Sequence, residues 1–526
     1  MQPVQELDLQ QQQRLVTALQ RPETFEKAAG DVQHIQTHIS HVILAGQYAY
    51  KIKKPLNLGF LDFSTLAQRR HCCEEELRLN RRLAPDLYLE VVPITGSLDE
   101  ARFGGAGPVL DYAVKMRRFP QSALLSVNPP DRETLHRLAD QVAEFHLGIP
   151  AAEAATPYGA PERVLHPMLE NFTQIREIGL ADLVLPRLVP LEAWTRHQAQ
   201  QLDGLLWQRK QEGHIRECHG DMHLGNITVY QGRLQIFDGI EFNPNLSWID
   251  TLNDVGFLLM DLQHRGLSHD AADFLNRYLE RTGDYAALPL LRFYQTYRAM
   301  VRAKVAAIRL SQAGLSEQER QDLKREYLGY IDLAEGFTRA EQPVLLITHG
   351  LSGSGKSLFS GWLLERLPAV RLRSDVERKR LFGQSAQAQG LEQGIYTRQA
   401  SQATYAHLRE IASRLLRAGY SVIVDATFLK TAQREPFRQL ARELAVDYLI
   451  LDCQSPEAVL RERISKRMAQ GADPSEADLA VLELQMHNRE ALSDAELTHR
   501  IALDTQTFPP VDLLDRVRQH LSSRVS

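Results

Sequence analysis

Residues 344–357 read Val-Leu-Leu-Ile-Thr-His-Gly-Leu-Ser-Gly-Ser-Gly-Lys-Ser, an apolar run that breaks into alternating glycines and ends on Lys356 and Ser357. Val344–Thr348 has the composition of a buried strand, and the residues from Leu358 to Leu367 follow a helical pattern. A strand that enters a glycine-rich turn and leaves it as a helix is the setting a phosphate-binding loop requires. Glycines let the backbone curl until successive N–H groups point inward, and the helix adds its positive N-terminal end. Gly350, Leu351, Ser352, Gly353, Ser354 and Gly355 are thus expected to cradle phosphate. Lys356 would reach the β and γ phosphates, and the Ser357 hydroxyl would ligate Mg2+.

Outward from this loop, strand and helix alternate. Val370–Arg373, Ser421–Asp425, Val446–Asp452 and Ile501–Asp504 are the further strand candidates, which predicts a parallel sheet with helices on both faces. Asp375 follows the second strand, expected next to the phosphate-loop strand with its carboxyl end on the same crevice, and is the candidate base for an acceptor hydroxyl. The plainer alternative makes it a helix cap. Asp425, ending the strand Val422-Ile-Val-Asp, is placed to support Mg2+. Arg461, Arg463, Lys466 and Arg467 precede the Gly- and Pro-containing stretch 468–475, which suits a lid closing on phosphate as well as it suits a solvated helix face.

These features resemble the P-loop kinases that include polynucleotide 5′-kinases, chloramphenicol phosphotransferase and zeta toxins, over about residues 343–526. The resemblance implies Lys356 and Ser357 for ATP and Mg2+, Asp375 as base, Arg378 as a substrate contact, and Arg463 or Arg467 from the lid.

A second constellation stands at residues 219–226, His-Gly-Asp-Met-His-Leu-Gly-Asn, followed by two short strand patterns and Asp238-Gly239. Phosphoryl transfer needs a carboxylate near the acceptor hydroxyl, an amide oxygen and a carboxylate on Mg2+, and a cation on the phosphates. Asp221 fits the first role; Asn226 and Asp238 fit the metal. His219 and His223 read as residues that brace the loop. The cation is expected on the strand Tyr48-Ala-Tyr-Lys51, where Lys51 and Lys53 share one face; Lys51 is favoured. Its partner on the following helix is Glu76, with Glu75 as the alternative.

This half looks like the aminoglycoside phosphotransferase branch of the protein-kinase-like fold, over roughly residues 30–335. No Gly-x-Gly-x-x-Gly loop precedes the lysine strand; Gln36-Thr-His-Ile-Ser40 takes its place, which leaves Thr37 and Ser40 to cover the phosphates. The whole chain is similar to bacterial fusions of an aminoglycoside phosphotransferase with an ATP-binding protein. The expected architecture is therefore α+β then α/β: a bilobal protein-kinase-like domain over 1–335, a linker over 336–342, and a P-loop kinase domain with a parallel sheet over 343–526.

Composition agrees with two globular modules: 526 residues, 44% hydrophobic and 24% charged. The start of the chain lacks the pattern of a signal peptide, and no apolar run reaches spanning length, so a cytoplasmic protein without a membrane partner is expected. Cys72, Cys73, Cys218 and Cys453 form no CxxC and read as reduced packing residues. Residues 343–526 carry 24 Lys and Arg against 22 Asp and Glu, a balance of +2 that leaves −7 of the total −5 to the rest. Neither part announces a long nucleic-acid footprint. ATP and Mg2+ are the expected cofactors and small-molecule hydroxyls the expected acceptors. A short single-stranded nucleic acid end is the alternative for the second module, supported by Arg371, Arg373, Arg378, Lys379 and Arg380. One module acting only as a nucleotide-binding regulator is the remaining possibility.

Overall fold

A computed structural model of the protein describes residues 6–25, 32–59, 61–179, 184–312, 314–383, 397–470, 478–510 and 512–522. By contact the chain forms two compact units. The first comprises residues 1–134, 144–261 and 297–331; the second comprises 135–143, 262–296 and 332–526.

The first unit opens with the helix Leu9–Leu19, capped by Asp8 and packed by Leu15, Val16 and Leu19 onto an antiparallel sheet. Its strands are β1 (Val32–Gln36), β2 (Ser40–Ala45), β3 (Tyr48–Lys53), β4 (Tyr88–Thr95), β5 (Arg102–Phe103) and β6 (Val109–Arg117), ordered β1-β2-β3-β6-β4-β5. The segment 32–53 forms three of these strands, because a turn at 37–39 separates β1 from β2. The helix Leu66–Asn80, capped by Thr65 and Gln68, lies between β3 and β4 in sequence and packs against β4 and β6. Its buried Arg69 reaches Asp111 of β6 at 2.8 Å, and Gln12 of the first helix reaches the other oxygen at 2.9 Å. A buried carboxylate thereby receives a partner from each of two helices, as its desolvation demands. The helical remainder carries two small ribbons, β7 (Ile215–Glu217) with β10 (Trp248–Asp250), and β8 (Ile227–Tyr230) with β9 (Arg233–Ile236).

The second unit is built on a parallel sheet of β11 (Val344–His349), β12 (Ala369–Arg373), β13 (Ser421–Asp425), β14 (Asp447–Gln454) and β15 (Arg500–Asp504), ordered β12-β13-β11-β14-β15. Helices cover it with Phe359, Leu363 and Val517, which pack on Leu346, Ile423 and Leu451. The order corrects one expectation. β12 is not the neighbour of the phosphate-loop strand β11, because β13 pairs with both and lies between them. Parallel pairing still brings all the carboxyl ends to one side of the sheet.

As an edge strand β12 has open backbone groups, and they are covered from a distant part of the sequence. Asn276, buried in the helix Ser268–Thr282, donates to the Ala369 carbonyl at 3.0 Å and accepts from the Arg371 amide at 2.7 Å. One turn further along this helix, Glu280 pairs with Arg371 at 2.9 Å and with Arg373 at 3.5 Å. The helix Glu317–Thr338 runs into the expected linker, so its first residues are helical. All four cysteines are unpaired and buried, and among the described residues no helix is long and apolar enough to cross a membrane.

Replacing Asn276 by Ala leaves the Ala369 carbonyl and the Arg371 amide buried without their partner. The expected cost is about 1–3 kcal/mol, read as faster amide exchange at Arg371; unchanged exchange there would show that the edge needs no cover.

Candidate active sites

In the first unit the loop after β7 begins with Gly220, whose φ is +82°; a Cβ there would stand 2.6 Å from the Leu246 carbonyl oxygen. The turn aims two consecutive amides at one acceptor. His219 and Gly220 both donate to the Asp254 carboxylate at 2.9 Å, and Leu224 donates to Asp261 at 2.9 Å. Both acids lie on the helix Thr251–His264, three to four residues per turn on one face. Arg298 clamps the Gly220 carbonyl at 2.8 Å, and the His219 Nε2 faces the Phe237 carbonyl at 2.9 Å. His219 is thus a brace, as expected, and so is His223, whose Nδ1 accepts from the Gly225 amide at 3.1 Å.

So held, Asp221 and Asn226 meet. The Asn226 amide donates to the Asp221 carboxylate at 3.1 Å and to its carbonyl at 3.0 Å, which leaves the amide oxygen as its remaining donor atom toward a cation. Burial would raise the Asp221 carboxyl, but the His223 ring at 3.5 Å and Arg302 outweigh it and hold the group well below the usual carboxylate range. Asp238 follows the β8–β9 ribbon in the left-handed region, with φ +63°. Its amide donates to the Tyr88 hydroxyl at 3.1 Å, while the Gly239 amide donates to Asn80 at 2.8 Å. A non-glycine residue held in that region marks a position the surroundings over-determine.

Lys51 lies 2.9 Å from Glu76 and 2.5 Å from Asp238. Glu75 instead faces Arg78 at the surface. Burial opposes ionisation of Glu76, yet Lys51 and Lys53 bring it down to about 2. Lys53 is also at this site, 2.6 Å from Glu76 and paired with Glu241. Sequence reading missed Glu241, although its position three residues after Asp238 was open to inspection. Thr37 and Ser40 do not stand ready to cover a ligand: Thr37 Oγ1 is engaged with the Ser40 amide at 3.0 Å, and Ser40 is buried.

His146, Cys218 and Asp254 converge within 4.8 Å. Asp254 is occupied by the two loop amides and His146 at 3.3 Å, and the Cys218 thiol, raised by burial, donates to the Ile249 carbonyl at 3.5 Å. This group braces the loop.

In the second unit the turn after β11 has the expected form. Gly350 at φ +137° approaches so closely that a Cβ would stand 2.5 Å from the Cys453 carbonyl oxygen, and Gly355 at φ +84° is the N-cap of the helix Lys356–Leu364. Ser354 Oγ, within the turn, is buried without a hydrogen bond, and Ser357 is exposed at the helix start. Lys356 folds back onto the Leu351 carbonyl at 2.7 Å. Burial lowers its pKa, opposed chiefly by Asp425, then Cys453 and Asp375, so both candidate carboxylates act on this ammonium. Asp425 accepts from Ser360 at 3.3 Å. Asp375 lies inside the helix Ser374–Phe382, whose N-cap is Arg373, so the cap alternative does not hold.

Tyr405, unnoticed in the sequence, is buried here under the charges of Arg378 and Asp375, with its hydroxyl 3.3 Å from Thr427 and receiving the Phe428 amide at 3.1 Å. Gln485, from the helix Leu479–Asn488, accepts from the Ser352 amide of the cradle at 2.8 Å. Arg463 is committed to the Gly353 carbonyl at 3.3 Å and the Thr505 carbonyl at 2.6 Å. Arg461 and Lys466 pair with Glu457 and Glu462 on an exposed face, the plainer of their two readings. Arg467 acts on Lys356 electrostatically. Residues 471–475 of the expected lid lie outside the described residues.

Residues 64–291 match the family described as the phosphotransferase enzyme family, and residues 345–492 match that described as an AAA domain. Over 475 residues the chain is 30% identical to the uncharacterized protein Rv2004c of Mycobacterium tuberculosis (strain H37Rv), spanning 89% of this chain and 91% of that one. The chain belongs to this family of phosphotransferase and P-loop kinase fusions. The same identity and coverage hold for Mb2027c of Mycobacterium bovis. Among solved structures, a sugar kinase from Janibacter is 22% identical over 34% of this chain and 95% of its own, with a TM-score of 0.27. A Plasmodium vivax ethanolamine kinase is 10% identical over 58% of this chain and 83% of its own, with a TM-score of 0.37. The family assignments of its two domains make the protein a kinase.

Gly220→Ala tests the loop geometry: strain at the left-handed position and the clash with Leu246 are expected to cost about 1–3 kcal/mol. The measurement is amide exchange at His219 and Gly220, which should accelerate; unchanged protection would mean that the loop does not depend on this glycine.

Proposed function

We propose that both modules, residues 1–335 and 343–526 joined at 336–342, transfer the γ-phosphoryl group of ATP to hydroxyl groups of small molecules. The observation that carries this reading is the meeting of Lys51 with Glu76 and Asp238 beside the Asp221–Asn226 pair. These groups come from four separate segments and supply every charge that phosphoryl transfer requires.

Mg2+ fits the donor sets, which are oxygens throughout: the Asn226 amide oxygen and Asp238 in the first module, Ser357 and Asp425 in the second. When bound, the ion would neutralise phosphate charge and align the γ-phosphoryl group. Lys51 would contact the phosphates in the first module, with Glu76 orienting it. Asp221 would orient the acceptor hydroxyl and take its proton late, since a carboxylate held so acidic is a weak base and a good positioner. In the second module the cradle of residues 350–355 and Lys356 would hold the triphosphate, Asp375 would receive the hydroxyl, and Arg378 and Arg467 would face transferring charge. Arg463 is better suited to support the cradle through Gly353.

A nucleic-acid end as acceptor of the second module finds less support. Arg371 and Arg373 pair with Glu280, and Arg380 pairs with Glu377, so three of the five residues of the proposed basic surface are internally matched.

The test is ADP release by the full chain offered sugars, nucleosides, aminoglycosides and 5′-hydroxyl oligonucleotides. Acceptor-dependent release is expected with a small molecule; none with any class would sink the proposal. In a Lys356→Ala background, Asp221→Asn is expected to lower turnover on the order of 10²–10⁴-fold while Mg–ATP still binds. Wild-type turnover would make Asp221 structural. In an Asp221→Asn background, Asp375→Asn is expected to abolish acceptor-dependent turnover with ATP affinity kept within about threefold, since the loss falls on kcat. Full turnover there would remove Asp375 from the reaction.

A further inference from the structure

The reading of the first module uses one lysine, yet two are present. Lys51 and Lys53 leave the same face of β3, and Glu76 gives one carboxylate oxygen to each, at 2.9 and 2.6 Å. Their surroundings differ. Lys51 keeps 13% of its side chain exposed and its second partner, Asp238, is 45% exposed. Lys53 is 1% exposed, Glu76 has no exposure, and the second partner of Lys53, Glu241, is 4% exposed. The Lys53 ammonium also lies 5.0 Å from the ring of the fully buried Phe63. One lysine therefore faces the open end of the site and the other is sealed within it.

The contacts of Lys51 and Asp238 exclude their own use. While they are paired, neither the ammonium nor that carboxylate oxygen is available to a phosphate or a cation. Binding Mg–ATP requires Lys51 to leave Asp238, while its contact with Glu76 is kept so that the glutamate orients it. Once that exchange occurs, the segment after β9 loses the tie that Asp238 gave it to β3, and Glu76 shares Lys51 with a phosphate. Here Lys53 remains on Glu76, and it also holds Glu241, three residues beyond Asp238.

We propose that Lys53 is a positioning residue, a permanently seated second lysine. It keeps the helix Leu66–Asn80 and the segment 238–241 docked to β3 while Lys51 exchanges Asp238 for the nucleotide phosphates. Glu241 is its counter-ion and neither residue touches substrate. The proposal rests on the phosphotransferase reading of this site.

The experiment uses the full chain carrying Lys356→Ala, so that nucleotide binding reports the first module. It measures Mg–ATP affinity by titration of a fluorescent ATP analogue, and amide exchange over residues 66–80 and 238–241. The parent is expected to bind Mg–ATP with protection of residues 66–80 unchanged by nucleotide. Lys51→Met should weaken binding by roughly tenfold or more and leave that protection intact. Lys53→Met should lose protection of residues 66–80 before any nucleotide is added, and adding Glu241→Gln should restore part of it by removing one of the stranded carboxylates. Should Lys53→Met not fold, the double variant and Glu241→Gln alone carry the test: the latter should loosen 238–241 while sparing 66–80. Full protection in Lys53→Met, or a loss of affinity with protection intact, would overturn the assignment; the second result would make Lys53 the phosphate lysine. Absence of nucleotide binding in the parent would overturn the reading of the site itself, a result the exchange measurements distinguish from failure of the brace.

Discussion

Glu76 has no exposed surface, and a carboxylate in that position survives as an ion only if cations come to it. Two do, from one strand, and in coming they bind β3, the helix Leu66–Asn80 and the segment after β9 into a single arrangement. The geometry of the first module's candidate site depends on this constraint. A charge buried so completely fixes the helix against the sheet, and with three carboxylates against two lysines it is Asp238, the exposed acid of the group, that faces the open end of the site. The Asp254 carboxylate plays the matching part beneath the loop 219–226, where two amides and a histidine satisfy it and so define where Asp221 stands.

The second module solves a different problem with backbone instead of side chains. Gly350 approaches the Cys453 carbonyl too closely for a side chain and Gly355 takes a left-handed conformation that favours glycine, so the turn's shape is written in its glycines. Its weak point is the sheet edge at β12, next to which Asp375 begins its helix. Asn276 and Glu280 close that edge, and both precede β11 by more than sixty residues in the chain. The second compact unit consequently includes residues 262–296, and a fragment starting at 343 would lack the cover of its own edge strand.

Much of this was legible in the sequence. The phosphate loop, the Asp221–Asn226 spacing and the alternating strands were all visible, because each is a local pattern whose physical requirement is met by residues close together in the chain. The glycine turn needs only its own neighbours, and the order of Asp221, Asn226 and Asp238 is fixed by one loop and one ribbon. Less was legible where the deciding contact is distant. Period-two alternation puts Lys51 and Lys53 on one face and cannot choose between them, and the run Glu74-Glu75-Glu76 does not by itself say which carboxylate meets a lysine of a distant strand.

The sequence alone therefore determined two kinase modules and the glycine-rich loop between β11 and its helix, and it named Asp221, Asp238 and Asp375 as the acids proposed to serve them. Only the tertiary structure decided which lysine faces the open site, that Glu241 completes the buried network, that β13 separates β12 from β11, and that Tyr405 and Gln485 attend the second site. The reason is the range of the forces involved. A buried charge is neutralised by whatever the fold brings within about 3 Å, and for Lys51 those partners lie 25 and 187 residues away along the chain.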